Sequence, residues 1–282
     1  MMIPEPLSPS RENRLVALLA AMQFCHIVDF MVLMPLGPQL MRLMQITPAQ
    51  FGFLVAAYTL SAGLAGFVCA FIVDRFDRRR MLLAILAGFL LATLACGLAW
   101  NFESLLVARL LAGLFGGVLG ANILAYLGDC IPEVRRGAAT GKLMAAFALA
   151  AVAGVPLGIF LATHYTWHMP FLFISGISLL LWFLGLSVLP SLPAQDRGPI
   201  QIAGTLDAVF SDRNHWYAFA LVGALMLAGF TVIPFISPYM VKNVGLSESQ
   251  LSLIYFFGGL TSLFAAPLIG KLADKFGKAF IL

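Results

Sequence analysis

Polar residues punctuate this chain briefly, between long apolar runs. Runs close to the roughly 20 residues needed to cross a hydrocarbon layer cover 15 to 36, 51 to 73, 81 to 100, 104 to 127, 141 to 163, 170 to 189, 216 to 236 and 251 to 269, and a ninth begins near Phe280. Eight membrane-spanning helices are therefore expected. Most runs are apolar on every side, as suits helices surrounded by lipid or by one another. The first departs from this. Gln23, His26 and Asp29 recur every third residue and so form one broad polar stripe. An aspartate near a helix centre costs about 2.5–3.5 kcal/mol on insertion scales, so this face is expected to line a cavity rather than meet lipid.

The pattern also repeats after 200 residues. Thr47-Pro-Ala-Gln50 and Ser247-Glu-Ser-Gln250 read as capping boxes at the same offset. Ala62, Gly66 and Ala70 match Ser262, Ala266 and Gly270, and the following Asp74-Arg75-Phe76-Asp77-Arg78 matches Asp274-Lys275-Phe276-Gly277-Lys278. A repeated multi-helix half is the signature of a secondary transporter. The second copy stops at Leu282, so the sequence reads as part of one. The expected organisation is a six-helix bundle over 1–189, a proline-bearing linker over 190–214 and a truncated second bundle over 215–282.

Composition agrees with the pattern: 61% apolar residues, 11% charged and a mean hydropathy of +0.95 exclude an ordinary water-soluble domain. With the N-terminus in the cytoplasm, Arg11, Arg14, Arg75, Arg78, Arg79, Arg80, Arg135, Arg136, Lys142, Arg197, Arg213, Lys271, Lys275 and Lys278 fall inside. Only Arg42 and Lys242 fall outside. Fourteen against two is a strong positive-inside bias, and it accounts for the net charge of +4 without a nucleic-acid partner. Trp100, Tyr165, Trp167 and Tyr239 sit at the outer boundary, where an aromatic belt belongs. Cys25, Cys69, Cys96 and Cys130 have no metal-type spacing and read as apolar fillers. No nucleophile–base pair, metal cluster or phosphate loop points to an enzyme or a cofactor.

The seventeenth cation, Arg109, lies about five residues into the fourth run from its outer end, and Asp29 about seven from the outer end of the first. At 1.5 Å per residue both lie roughly 8–11 Å deep. If their helices are neighbours, the arginine favours the charged carboxylate while burial favours the neutral acid. A cavity that opens and closes then switches Asp29 between holding and releasing a proton, with His26 as a relay. Asp74 raises a different question, because it ends the second run where the helix dipole repels an anion. Its compensation is expected from the Arg75 to Arg80 cluster or another helix's N-terminus. Asp274 poses the same question, answered by the start of the fifth run beside Arg135 and Arg136. Small residues recur every fourth position at Ala146, Ala150, Gly154 and Gly158, and again at Gly258, Ser262, Ala266 and Gly270. Such stripes let backbones approach, and the fifth and eighth runs are expected to pair. The second-run stripe at Ala62, Gly66 and Ala70 is expected to be uncovered.

The loop from Asp74 to Arg79 resembles the inter-helix signature of the major facilitator superfamily, with Ala70 and Asp77 replacing its two usual glycines. Gly270 to Lys278 resembles the second copy more closely. Arg109 with Gly113 is similar to the fourth-helix element, and Gly154-Val-Pro156-Leu-Gly158 to the antiporter signature of bacterial drug and arabinose-efflux-like permeases. The resemblance implies an all-helical fold of two six-helix bundles, eight of twelve spans being visible, rocking about a central site in a bacterial inner membrane. It implies a monomer exporting small, partly apolar molecules in exchange for protons. Asp29, Arg109 and His26 are then the proton-coupling candidates. Asp74, Arg75, Arg78, Asp274, Lys275 and Gly277 are the conformational-switch candidates, and Gly154, Pro156 and Gly158 the helix-packing residues. Uptake, facilitated diffusion or a non-transporting fragment are the alternatives.

Overall fold

The computed structural model describes residues 8–72, 76–192 and 209–276, and among these every regular element is helical. Helix α1 (Pro9–Val32) starts with proline in its first turn, where a missing N–H costs nothing. The short α2 (Gly37–Met44) ends at Gln45, held at φ 54°, whose side-chain amide donates to the Arg42 carbonyl (3.0 Å). α3 (Pro48–Ile72) opens with the expected capping box. The Gln50 amide N–H donates to Thr47 Oγ1 (3.2 Å), and Gln50 Oε1 accepts from the Thr47 N–H (2.8 Å). α4 (Arg78–Gly97) is capped by Asp77, which accepts from the Arg80 N–H at 2.8 Å. The aspartate standing in a glycine's place in the loop signature thus starts a helix. α5 (Phe102–Cys130) has an Asn101/Ser104 capping box.

The fifth span is one run from Glu133 to His164, made of α6 (Glu133–Leu149), a π turn at Ala150–Gly154 and α7 (Val155–His164). Pro156 explains the interruption. Lacking an N–H, it cannot donate to the carbonyl four residues back, and its ring crowds that carbonyl, so one wide turn lets the helix continue. α8 (Met169–Val188) and α9 (Arg213–Tyr239, with Pro234 and Pro238 inside it) follow. The second capping box, Ser247 with Gln250, opens a single 3-10 turn leading into α10 (Leu251–Phe276). Seven described helical stretches are long and apolar enough to cross a membrane. α10, 26 residues long, occupies the eighth expected run. The ninth lies outside the described residues.

The first six spans share one core, with Leu19, Met22, Phe89, Leu119, Ile123 and Phe171 among its buried members. Within it α3 and α4 flank α5, and α1 touches α5, α6 and α8. The end of the bundle holding the α1 start is tied by Glu12–Arg135 (3.1 Å), Asn13–Lys142 (3.1 Å) and Arg78–Asp129 (2.9 Å). At the opposite end Gln39 donates to the Ala162 carbonyl (3.1 Å) and His168 meets the Gly97 carbonyl (3.0 Å). Successive spans therefore alternate in direction.

α9 and α10 join this bundle unevenly. Near its C-terminal end α9 meets α1, α2 and α3: Phe30 pairs with Phe230 (6.0 Å), Phe51 with Phe235 (6.5 Å), and Pro238 packs on Gly37. Towards its other end it is exposed, and only Pro234 and Ser237 of the helix are buried. α10 lies along α7 and the π turn, so the fifth and eighth spans are neighbours. Gly154, Gly158 and Gly258 of their small-residue stripes are not on the facing surfaces, however. A side chain at Gly154 would collide with Val28 (2.2 Å) and one at Gly158 with Val32 (2.4 Å), so this stripe admits α1. The close approach to α10 is made by Ala151 against Gly259, while Gly258 has nothing within 4 Å. On α3, Gly66 is open as expected, but Ala62 is covered by Gly117 of α5. Trp167 also departs from the aromatic belt, being 6% exposed beside His168 and Phe171, whereas Trp100 is 81% exposed.

Candidate functional site: a buried ion pair inside the six-span bundle

Asp29 and Arg109 meet. Arg109 Nη1 donates to Asp29 Oδ2 at 3.1 Å and reaches the Asp29 backbone carbonyl at 3.3 Å. Both side chains are essentially without solvent contact, at 0% and 1% exposure. The positioning rests on the glycines of α5. A side chain at Gly113 would stand 2.2 Å from both the Tyr58 carbonyl and the Ser61 hydroxyl, so only glycine admits α3 at this depth. That approach lays the Tyr58 ring over the Arg109 guanidinium, 4.4 Å from the ring centroid. A desolvated cation over an aromatic face is held by about 2 kcal/mol. Tyr58 is therefore a third member of the site, and nothing in its sequence surroundings singled it out.

The rest of the α1 stripe faces the same way. Gly116 leaves the space filled by the Tyr58 hydroxyl and the edge of His26, and Gly120 the space beside His26 and the Gln23 amide. The two imidazole edges and the two polar side chains thus share one glycine-walled pocket of the bundle interior. His26 also touches Phe89 edge-on (6.3 Å). Gln23 Oε1, His26 Nδ1 and Tyr58 Oη are buried here without a hydrogen bond among the described residues, while the Thr93 hydroxyl adjoins the Asp29 carboxylate and the Cys96 thiol the Arg109 guanidinium. Buried polar atoms without partners are costly and concentrate where protons, water or ligands are handled.

The stripe was expected to line a cavity, and it is instead enclosed. Asp29 is sealed between α1, α4 and α5 because its partner lies within the same bundle. An open cleft of about 550 Å³ is formed by the neighbouring apolar face of α1 (Ala17, Ala20, Ala21, Phe24) and by Lys142, Ala146 and Val152 of the fifth span.

Of the switch candidates, Asp74, Arg75 and Gly277 lie outside the described residues, and of Asp274 and Lys275 only the helical backbone is described. Arg78 is placed at the start of α4, where its guanidinium Nε pairs with Asp129 at the end of α5. Its backbone N–H donates to the Leu192 carbonyl (3.1 Å), and Asp77 Oδ2 accepts from Ser191 (3.1 Å), which ties α4 to the segment after α8. Gly154 ends the π turn and Pro156 and Gly158 lie in the first turns of α7, with Gly154 against Val28 and Gly158 against Val32 of α1. At the other end Arg42 and Glu248 form a two-pronged ion pair joining α2 to the turn before α10. The Glu248 carboxylate, by its hydrogen bond first and its charge second, holds the Arg42 guanidinium above its ordinary range.

Residues 19–282 match the family model described as Major Facilitator Superfamily. The chain belongs to that superfamily. An MFS-type transporter, YceJ of Bacillus subtilis, is 26% identical over 250 residues, covering 88% of this chain and 64% of the relative. A probable sugar efflux transporter of Helicobacter pylori (strain P12) is 26% identical over 240 residues, covering 84% of this chain and 60% of the relative. The chain thus spans less than two thirds of the length of these relatives. Among solved structures, a bacterial homologue of the human lysosomal transporter Spinster, in an inward-facing and unoccupied conformation, superposes with a TM-score of 0.78 at 19% identity over 97% of this chain and 64% of its own. A D-xylose-proton symporter superposes with a TM-score of 0.70 at 17% identity, over 95% and 70%. At such identities these two establish the shared major-facilitator fold.

Proposed function

We propose that this major facilitator chain exports small, partly apolar molecules across the bacterial cytoplasmic membrane in exchange for protons, by alternating access. The observation that carries the reading is the solvent-excluded Asp29–Arg109 pair with Tyr58 and His26 around it. A lone structural ion pair needs no ring of unpartnered polar atoms. A group that must gain and lose a proton does need neighbours able to rearrange their hydrogen bonds. In this reading Asp29 carries the proton, Arg109 compensates its charge when it is empty, and His26 with Tyr58 leads to it. The apolar cleft beside Phe24 and Val152 takes the substrate's hydrophobic part. Relatives bearing the name of sugar efflux transporters support export.

The division into 1–189, 190–214 and 215–282 belongs to the same proposal, with the N-terminus and the Arg11, Arg78 and Arg135 end in the cytoplasm. The exposed inner part of α9 and the paired Arg42 and Glu248 then support an inward-open arrangement closed at the outside. The Asp74 and Asp274 loops, with Arg75, Arg78, Lys275 and Gly277, are assigned the role of switching between arrangements.

The test uses inverted membrane vesicles carrying the protein at the full length of its open reading frame. An acid lumen should drive substrate uptake into the lumen, and Asp29→Asn should abolish that drive while leaving substrate binding intact. Expulsion from an acid lumen would replace export by uptake, and uphill transport by the variant would remove Asp29 from the mechanism.

A further inference from the structure

We propose that Arg11 and Arg14 form a binding site for the headgroup of an anionic phospholipid, between the start of α1 and the end of α8. The two arginines, one turn apart on one face of α1, open onto a cavity of about 370 Å³ closed by Leu15, Ser187, Val188, Leu189 and Pro190. Three other cations at this end of the bundle are already engaged by side chains. Arg78 pairs with Asp129, Arg135 with Glu12, and Lys142 with Asn13. Glu12 lies between Arg11 and Arg14 in sequence, yet its carboxylate is spent on Arg135. Among the described residues neither Arg11 nor Arg14 has an acidic partner; Arg14 makes only a 3.4 Å contact with the Ser10 carbonyl.

The cavity walls say what kind of anion fits. Leu15 and Leu189 are buried, at 1% and 3% exposure, so the floor is fixed and apolar. Tyr126 holds the rim by donating to the Pro190 carbonyl. A pair of guanidiniums matches the oxygens of a phosphate, and an apolar floor suits a glycerol and the head of an acyl chain. A fully hydrated inorganic phosphate makes no use of that floor. The site also stands where the charge pattern of the spans places a membrane surface, at which each arginine adds roughly 1 kcal/mol of attraction to anionic lipid. The inference rests on the membrane reading alone and does not depend on export or on Asp29.

Native mass spectrometry of the purified protein, with phosphatidylglycerol and phosphatidylcholine offered in equal amounts, tests it. The unaltered protein should retain phosphatidylglycerol, and Arg11→Gln with Arg14→Gln should lower retention about thirty-fold, the product of two such contributions. Arg80→Gln with Arg136→Gln removes the same charge at the same end away from the cavity and should lower it far less. An equal loss in both double variants would overturn the site in favour of diffuse surface charge. Unchanged retention in the Arg11 and Arg14 variant would also overturn it. Displacement of the lipid by millimolar inorganic phosphate would reassign the site to a soluble phosphate and refute the lipid. All four arginines are on the surface, so matching thermal unfolding of the variants confirms that folding is not the cause.

Discussion

Removing either partner of the Asp29–Arg109 pair should have unequal consequences, because only one of the two groups can discard its charge. With Oδ2 and Nη1 3.1 Å apart and both side chains out of solvent, loss of one partner leaves an uncompensated buried charge, which costs about 3–5 kcal/mol. That is roughly two to three and a half powers of ten in the folding equilibrium. In Asp29→Asn the stranded guanidinium stays charged at every accessible pH, although its stacking on Tyr58 remains. The variant's own stability should therefore be low and, at this site, flat with pH. In Arg109→Met the stranded carboxylate can take up a proton, so its penalty should shrink as the medium is acidified. The double variant Asp29→Asn with Arg109→Met leaves no net charge and should be less damaged than the sum of the singles by 2 kcal/mol or more, as expected of a direct pair. Unfolding titrations in mixed micelles at several pH values provide the assay. Additive single effects, or two single variants with the same pH response, would refute the argument that the pair is closed and mutually dependent.

Tyr58→Phe keeps the ring over Arg109 and loses only the unpartnered hydroxyl, so stability should hold within about 1 kcal/mol; proton-driven transport should fall, and full transport activity would exclude the hydroxyl from the pathway. Gly117→Val should destabilise by about 1–3 kcal/mol or more, because a Cβ there lies 2.5 Å from the Ala62 backbone; melting temperature reports it, and an unchanged value would contradict the α3–α5 contact. Cysteines at Ala151 and Gly259 should cross-link, whereas Gly154 with Ser262 should not, since Gly154 faces Val28. Single cysteines replacing Gln195 and Asn243 should label from opposite sides of intact cells, and labelling from one side would overturn the topology.

Some of this is legible in the sequence alone, and the reason differs from case to case. Capping boxes at Thr47 and Ser247 depend on atoms three residues apart, so local sequence suffices. The pairing of Asp29 with Arg109 was legible because each lacked any other opposite charge at its depth, and the hydrocarbon makes such a partner nearly obligatory. Small-residue stripes were legible only in part. They announce that some backbone comes close but carry no information on whose, and the stripe from Ala146 to Gly158 admits α1 rather than α10. Tyr58 was invisible for the same reason: its value lies in what Gly113 and Gly116 of another helix leave open. The Arg42–Glu248 pair joins residues whose sequence neighbours predict nothing about one another, and so does Arg78–Asp129.

The placement of the buried pair also constrains how protonation could drive movement. Asp29 and Arg109 belong to the same six-span bundle, whereas the rocking of the proposed mechanism moves one bundle against the other. The pair is therefore not a latch between moving parts, and breaking it does not by itself free the outer end. On the proposed mechanism its effect must travel through α1. That helix bears Asp29 on one face and, on another, Val28 and Val32, which fill the gaps at Gly154 and Gly158 beside the π turn. The π turn in turn packs on α10, at Ala151 against Gly259. A small rotation of α1 on loss of the ion pair would thus reach the second bundle through three tight van der Waals contacts, all made at glycines. The outer contact it must release includes Arg42 with Glu248, an exposed pair worth no more than about 1 kcal/mol, and the aromatic pairs Phe30–Phe230 and Phe51–Phe235. Filling Gly154 with alanine should therefore uncouple protonation from opening while leaving Asp29 and Arg109 paired. Proton-driven transport should collapse with an unchanged pH dependence of stability, and variants in which both change together would place the transmission elsewhere.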